Sequence, residues 1–203
     1  ANIPKRRWID GFETTSRMDG GSGTTNQISR AASRTCEGVG FALRSALSTF
    51  RTHTLNEMGA VTNGARSWER FYIRLRTALP TARITLWNTG SNSSNVEGCV
   101  MKINTLGQLE VYNSTDIATE TLLGTSAALS LETKYKIDVA ISYSTKFDGT
   151  AGGQVRAWIN GVQFVDATVS SASGGLGQGG RTHANSNIVY NNGSANTYEL
   201  AMD

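Results

Sequence analysis

Apolar and polar residues alternate with a period of two along residues 68–76. One side of the pattern carries apolar residues: Phe71, Ile73 and Leu75. The other side carries arginines and a tyrosine: Arg70, Tyr72, Arg74 and Arg76. Because successive side chains of a β-strand point to opposite faces, the segment predicts a strand with one core face and one polar face. The polar face would present a ladder of guanidinium groups around an aromatic ring.

Short segments of the same kind follow one another along the chain, and no stretch of useful length has a helical period. Residues 135–143 form the longest alternating run. Residues 155–164 predict a hairpin, because Asn160-Gly161 accepts the positive φ angles of a type I′ turn. The other predicted strands are residues 7–13, 40–45, 83–87, 99–103, 108–112 and 198–202. The pattern predicts an all-β, antiparallel sandwich of two sheets that forms one domain over residues 1–203.

Composition agrees with a turn-rich β protein. The 203 residues include 22 Gly but only 2 Pro, and 38% are hydrophobic, which is enough for a core. No apolar run approaches the length of a membrane helix, so we expect no membrane partner. The net charge of +3 comes from dispersed arginines rather than from lysine clusters, so we expect no nucleic-acid partner.

The polar side of the arginine strand is the candidate ligand surface. Arginine offers paired donors to hydroxyl and carboxylate groups, and an aromatic ring offers an apolar platform to a sugar. The predicted ligand-binding residues are Arg70, Tyr72, Arg74 and Arg76, joined by Arg156 and Trp158 if their strand turns its polar side the same way. The alternative is plain surface, on which Arg74 and Arg76 only pair with Asp138 or Glu110.

Several short patterns along the chain resemble the concanavalin A-like, laminin-G-type jelly roll. They are Gly-Phe-Glu at residues 11–13 and the segments 68–74, 107–113, 134–139 and 157–161. The resemblance covers most of the chain, from Trp8 to Asp203. It implies two packed antiparallel sheets, one of them concave, with glycans often bound on that face or at rim loops. Such domains occur in lectins, in modules of glycan-degrading enzymes and in bacteriophage structural proteins.

The same resemblance implies a structural calcium ion. In many jelly-roll modules a glutamate on the first strand and an aspartate on the last strand share Ca²⁺, and Glu13 and Asp203 stand in these places. Backbone carbonyls and water would have to complete the six to eight oxygen ligands that Ca²⁺ takes. The alternative is two solvent-exposed carboxylates at adjacent strand ends.

No catalytic constellation is visible, so the sequence predicts no catalytic residue and no enzyme. Glycosidases of this fold carry closely spaced carboxylates on one strand, and the nearest acidic pair, Asp116 and Glu120, lies in turn-like sequence. The Gln-Ile-His and Tyr-x-Lys-x-Gly-x-Tyr elements of jelly-roll lyases are absent. His53 and His183 lie in loop-like segments. Cys36 and Cys99 are interpreted as two free buried thiols, with a disulfide between them as the alternative.

Two functions fit these observations. The first is a non-catalytic, lectin-like virion protein, a phage capsid decoration or tail-associated subunit that presents a glycan-binding surface. It would be made in the host cytoplasm, lie on the virion surface and contact other virion subunits or copies of itself through residues 170–180 and 5–7. The alternative is a carbohydrate-binding module of a secreted bacterial glycan-degrading enzyme, with surface glycans as its partners.

Overall fold

A computed structural model describes residues 64, 66–76, 78–90, 97–115 and 119–177, together with the strand bounds of five further segments. This part of the chain is built from β-strands and one short 3₁₀ turn at Gly175–Gly177. The strands are β1 (Ile28–Ser29), β2 (Phe41–Ser45), β3 (Arg51–Glu57), β4 (Arg66–Leu75), β5 (Ile84–Gly90), β6 (Glu97–Ile103), β7 (Gln108–Ser114), β8 (Glu120–Ala128), β9 (Lys134–Ser142), β10 (Gly153–Ile159), β11 (Val162–Val169), β12 (Asn185–Asn191) and β13 (Tyr198–Met202). The all-β prediction is confirmed.

The strands form two antiparallel sheets. The seven-stranded sheet has the order β1-β2-β13-β4-β9-β10-β11, and the six-stranded sheet has the order β3-β12-β5-β6-β7-β8. Neighbours in space are often distant in sequence, since β13 lies between β2 and β4, and β12 lies between β3 and β5. These crossovers between two packed antiparallel sheets make the fold a jelly-roll β-sandwich.

The core lies between the sheets and is built by the alternation along each strand. On β4, Phe71, Ile73 and Leu75 are buried, as predicted. They meet Ile137 and Val139 of β9 in the same core cluster. The side chains at the alternate positions of each strand therefore face outward. This determines which side chains of the seven-stranded sheet reach solvent.

The hairpin between β10 and β11 forms as predicted. Asn160 and Gly161 have φ angles of 51° and 84°, and the side-chain oxygen of Asn160 accepts a hydrogen bond from the backbone of Lys136 at 2.9 Å. The pairing of β10 with β11 shifts between Ala157 and Trp158, whereas the pairing of β10 with β9 stays regular. The turn thus keeps β10 in register with β9, and Arg156 and Trp158 share one face.

The glycine-rich loop after β11, which the sequence predicts as a contact segment, packs against its own sandwich as far as Gly177. Leu176 is fully buried in the core cluster, and its backbone N–H donates to the side chain of Asn113 at 2.8 Å. A Cβ atom on Gly153 would lie 2.3 Å from the carbonyl oxygen of Leu176. Glycine here permits close packing of the loop against the sandwich rather than mobility.

Four strands were not predicted: β1, β3, β8 and β12. His53 therefore lies within a strand rather than in a loop, and Glu120 begins β8. The predicted first strand at residues 7–13 lies outside the described residues. Among the described residues, no helix has the length and apolar character needed to span a membrane.

Candidate functional site

The outward face of the seven-stranded sheet, which we call the arginine face, gathers side chains from β4, β9 and β10. Residue pairs across β4 and β9 set its rows: Trp68 with Ala140, Arg70 with Asp138, and Tyr72 with Lys136. Across β9 and β10, Asp138 pairs with Trp158 and Ala140 with Arg156. The predicted ligand residues of β4 and β10 therefore share one surface. That they bind a ligand stays a prediction.

A pair of stacked indoles lies on this face, between the row of Arg66 and the row of Arg70. The rings of Trp68 and Trp158 lie 5.3 Å apart with an interplanar angle of 20°. Their strands flank β9, and the outward residue of β9 between them is Ala140, whose small side chain is only 1% exposed. The two rings meet over this alanine. Trp68 keeps 62% of its surface exposed, so the pair presents an apolar plate to solvent.

A cationic clamp lies beside the indoles at one end of the face. The guanidinium carbons of Arg66 and Arg156 lie 5.3 Å and 4.8 Å from the ring centroid of Phe147. Arg66 also donates to the carbonyl of Phe147 at 3.1 Å. Arg156 pairs with Asp166 at 3.2 Å, and the side chains of Gln154 and Arg156 hold the pKa of Asp166 below its ordinary value despite partial burial. These contacts fix both guanidinium groups at the edge of the indole plate.

The middle row contains a buried carboxylate between two cations. Asp138 accepts a hydrogen bond from Arg70 Nε at 2.6 Å and lies 3.8 Å from Lys136 Nζ. This hydrogen bond raises the pKa of Arg70 above its ordinary value. The Asp138 side chain is 7% exposed, whereas that of Arg70 is 53% exposed. The carboxylate therefore lies beneath the guanidinium and orients it, and Arg70 still reaches solvent.

A phenol and more cations occupy the other end. Lys134 Nζ lies 4.1 Å from the ring centroid of Tyr72. Arg74 Nε and Arg76 Nε lie 4.0 Å and 3.6 Å from the carboxylate of Glu132, in the turn between β8 and β9. Among the described residues of the arginine face, cations outnumber carboxylates. The cations are Arg66, Arg70, Arg74, Arg76, Lys134, Lys136 and Arg156, and the carboxylates are Glu132, Asp138 and Asp166.

The predicted alternative partners of Arg74 and Arg76 are wrong. Asp138 pairs with Arg70 and Lys136 instead, and Glu110 lies on the outer face of the other sheet, where it pairs with Arg83 at 2.7 Å. The error has a physical cause: pairing follows the register and the turns, and neither can be counted from the sequence. Within the part of the chain that the structure describes, the turn residue Glu132 places its carboxylate beside both arginines.

The outer face of the six-stranded sheet carries a second, closed charge cluster around Glu110. Burial alone would raise the pKa of Glu110, but hydrogen bonds from Tyr112 and Asn104 and the charge of Arg83 outweigh it, so the pKa falls below its ordinary value. Burial and the hydrogen bond to Glu110 raise the pKa of Tyr112 to about 12. Lys102 pairs with Glu120 at 2.6 Å. The polar groups of this cluster satisfy one another and show no aromatic platform open to solvent.

The interior also holds polar groups. Trp87 donates its indole N–H to Glu69 at 2.9 Å, and the Tyr143 hydroxyl donates to Thr89 at 3.0 Å. Cys99 is a free, fully buried thiol, as predicted, and burial together with the charge of Glu69 raises its pKa. A thiol with a raised pKa is a poor nucleophile, so we interpret Cys99 as a residue of the core packing.

The predicted calcium ligands, Glu13 and Asp203, lie outside the described residues, and the calcium site stays a prediction. The described residues contain no group of three or more His, Cys, Asp or Glu side chains that could hold a metal. They also contain no histidine side chain, since His53 and His183 are not among them.

Sequence reasoning missed the most exposed part of the site. Trp68 has the same strand parity as Arg70 and Tyr72, so the alternation that found them could also have found it. Arg66 also has this parity, whereas Phe147 carried no such signal, because a loop brings it to the face. Glu132 was missed for the same reason.

No protein-family model matches the chain, and no curated protein matches its sequence. Solved structures share its fold. The alginate lyase A1-II′, a member of polysaccharide lyase family 7, is 9% identical with a TM-score of 0.58, over 89% of this chain and 83% of that chain. The endo-β-1,4-glucuronan lyase of Trichoderma reesei is 12% identical with a TM-score of 0.56, over 96% and 90%. The carbohydrate-binding module CBM66 of Bacillus subtilis is 8% identical with a TM-score of 0.50, over 81% and 83%.

These likenesses bear on the fold and correct two expectations. The chain has a jelly-roll β-sandwich fold of concanavalin A-like type, and its finer assignment as laminin-G-type stays a prediction. The expectation of a non-catalytic phage virion protein is wrong, and so is the expectation that the chain is no enzyme. The overturning finding is that the structures sharing the fold are polysaccharide lyases and a carbohydrate-binding module. The finding favours the carbohydrate-active alternative.

Proposed function

We propose that this chain is a carbohydrate-active domain that holds an acidic polysaccharide along its arginine face, as part of glycan degradation. The observation that carries the proposal is the stacked pair of an exposed Trp68 and a half-buried Trp158 among arginines. An indole face packs well against the apolar C–H face of a sugar ring, and neighbouring guanidinium groups bind its hydroxyl or carboxylate oxygens.

The charge of the face supports an acidic ligand. The three carboxylates already have cationic partners, and the remaining excess is positive. The face is also long: from Trp68 to Arg74 the strand advances about 20 Å at roughly 3.3 Å per residue. A polysaccharide lying along β4 would therefore contact the indole plate at one end and the Tyr72 end at the other.

Binding is tested with two oligosaccharides of equal length, a β-1,4-linked glucuronan and its neutral counterpart from cellulose. The pair differs in the carboxyl group alone. We expect calorimetry to show binding of the acidic oligosaccharide, a loss of about tenfold or more in Trp68→Ala, and a steep weakening with salt. Equal binding of both oligosaccharides, or unchanged binding by Trp68→Ala, would contradict the proposal.

The chain offers a matched control for the contribution of Arg70. Arg83 on the opposite sheet pairs with Glu110 at 2.7 Å, and both its exposure and that of its partner equal those of Arg70 and Asp138, at 53% and 7%. Arg70→Ala and Arg83→Ala each remove one positive charge. Each leaves a buried carboxylate with other partners, Lys136 for Asp138 and both Tyr112 and Asn104 for Glu110. We expect Arg70→Ala to weaken glucuronan binding and Arg83→Ala to leave it unchanged.

Cleavage by elimination is the second candidate function, and the surroundings of Tyr72 favour it. Its phenol stands between Arg70 and Arg74 along the strand, with Lys134 over its ring. An arginine would neutralise the uronate carboxyl group, which acidifies the adjacent C–H bond. Tyr72, as its phenolate, would take that proton, and the electron pair would form a C=C bond. The bond to the glycosidic oxygen would break as that oxygen takes a proton from the Lys134 ammonium group.

Elimination leaves an unsaturated sugar that absorbs ultraviolet light. We expect wild-type protein to generate this absorbance from polyglucuronate or alginate, and Tyr72→Phe to abolish it while oligosaccharide affinity holds. If the protein binds either polymer without forming this product, the proposed elimination activity is excluded and the binding function remains.

A further inference from the structure

The turn between β8 and β9 places a carboxylate over two arginines of the arginine face. Glu132 Oε1 lies 3.6 Å from Arg76 Nε, and Glu132 Oε2 lies 4.0 Å from Arg74 Nε. One carboxylate thus spans two guanidinium groups with its two oxygens. Both distances exceed those of the tight pairs nearby, such as 2.6 Å for Arg70 with Asp138.

The two arginines and the glutamate of this contact differ in their exposure to solvent. The Arg74 and Arg76 side chains are each 20% exposed, whereas the Glu132 side chain is 52% exposed. The guanidinium groups are therefore largely embedded in the surface, and the carboxylate lies on the solvent side of them. A carboxylate on the solvent side of fixed guanidinium groups can be replaced by another anion without moving the sheet.

The backbone conformation of Glu132 holds its carboxylate beside the two arginines. Glu132 has a φ of 56°, a left-handed conformation that is uncommon for a residue with a side chain. Its N–H donates to the carbonyl oxygen of Leu75 at 2.7 Å, which ties the turn to the end of β4. Arg74 and Arg76 flank Leu75 in sequence. The tie thus holds the Glu132 side chain beside both arginines, and a left-handed residue kept at a ligand surface is a recurrent mark of function.

We propose that the Glu132 carboxylate occupies the place of a ligand carboxylate between Arg74 and Arg76, and that an acidic sugar binds there by displacing it. This inference rests on the proposed function of the arginine face. A loosely spaced ion pair whose carboxylate is half exposed contributes little stability, so a ligand that brings a carboxylate and further contacts can replace it. A neutral sugar has no group that compensates for the displaced contact. Glu132 therefore lowers the affinity for every ligand and selects for those with an acid group at this end.

The test compares Glu132→Gln with Glu120→Gln in glucuronan binding. Each variant removes one negative charge from an ion pair, and Glu120 pairs with Lys102 on the opposite sheet, so it controls for net charge. We expect Glu132→Gln to bind the glucuronan oligosaccharide about two- to fivefold more tightly than wild type, the range that loss of an exposed ion pair allows. Glu120→Gln should match wild type.

A second variant guards against a change in folding. Glu132→Gly removes the carboxylate and suits the positive φ, so it should keep the melting temperature and show the same gain. Unchanged or weaker binding by both variants, with Trp68→Ala still impaired, would overturn the role of Glu132 and leave the proposed function standing. An equal gain in Glu120→Gln would also overturn it. Failure of wild type and all variants to bind glucuronan would overturn both.

Discussion

At the residue scale, strand parity decides which side chains of this protein meet a ligand. The alternation along β4 and β10 is enough to predict that Arg70, Tyr72 and Trp158 point outward, because a period of two leaves no other arrangement once the core side is chosen. The identity of their partners cannot be deduced in the same way. Ala140 brings the indoles together only because β9 lies between β4 and β10, and that neighbourhood is a property of the topology.

The buried carboxylate of Glu110 gives stability a defined dependence on pH. Its pKa is lowered in the folded state, so its stabilising contribution is present above the unfolded value of about 4.3 and is lost as the pH falls through the folded value. Glu110→Gln should therefore melt at a lower temperature than wild type at neutral pH. The gap should narrow as the pH is lowered from about 5 to about 3. A gap that stays constant over this range would show that ionisation of Glu110 does not stabilise the fold.

At the element scale, the strands with one apolar side were predictable and the others were not. The segments β4, β9 and β10 alternate clearly, and the hairpin turn at Asn160 carries its own signal. By contrast, β8 forms an edge of its sheet, and its only large apolar residues, Leu122 and Leu123, are adjacent and so point to opposite faces. Its other residues are polar or small, and most of the strand is exposed or half-buried. Such a strand has no hydrophobic period to detect. The loop beginning at Ser170 shows the opposite case, in which glycine-rich sequence encodes close packing.

The loop that carries Leu176 should contribute to stability like a part of the core. Leu176 is fully buried, and Asn113 accepts the hydrogen bond from its backbone. Leu176→Ala should lower the free energy of unfolding by about 2–5 kcal/mol, as for other buried leucines. Leu106→Ala is the control, since Leu106 is 65% exposed and its loss should change little. Equal effects of the two substitutions in denaturant unfolding would show that the loop does not belong to the core.

At the scale of the whole molecule, the fold and the function depend on different features of the sequence. The fold follows from patterns that many sequences satisfy, which is why structures at 8–12% identity share it. Function depends on a few outward side chains that these patterns leave unconstrained. The sequence therefore predicted the sandwich and most of its polar face, whereas the expectation of a virion protein rested on an apparent lack of catalytic groups and was wrong.

The calcium predicted from Glu13 and Asp203 joins the two ends of the chain and would act on the whole domain. A ligand that binds the native state alone raises its stability by mass action. We expect a chelator to lower the melting temperature and added Ca²⁺ to restore it, and Glu13→Gln to make the protein insensitive to both. A melting temperature that is the same with chelator and with Ca²⁺ would remove this prediction.

The central claim is that an acidic polysaccharide lies on the arginine face, and the indole N–H groups report on it directly. In a nitrogen-labelled sample titrated with a β-1,4-glucuronan oligosaccharide, the indole signals of Trp68 and Trp158 should shift together. The signal of Trp87 should stay in place, because its indole donates to Glu69 inside the sandwich. Binding that leaves the signals of Trp68 and Trp158 unchanged would place the ligand elsewhere and contradict the account.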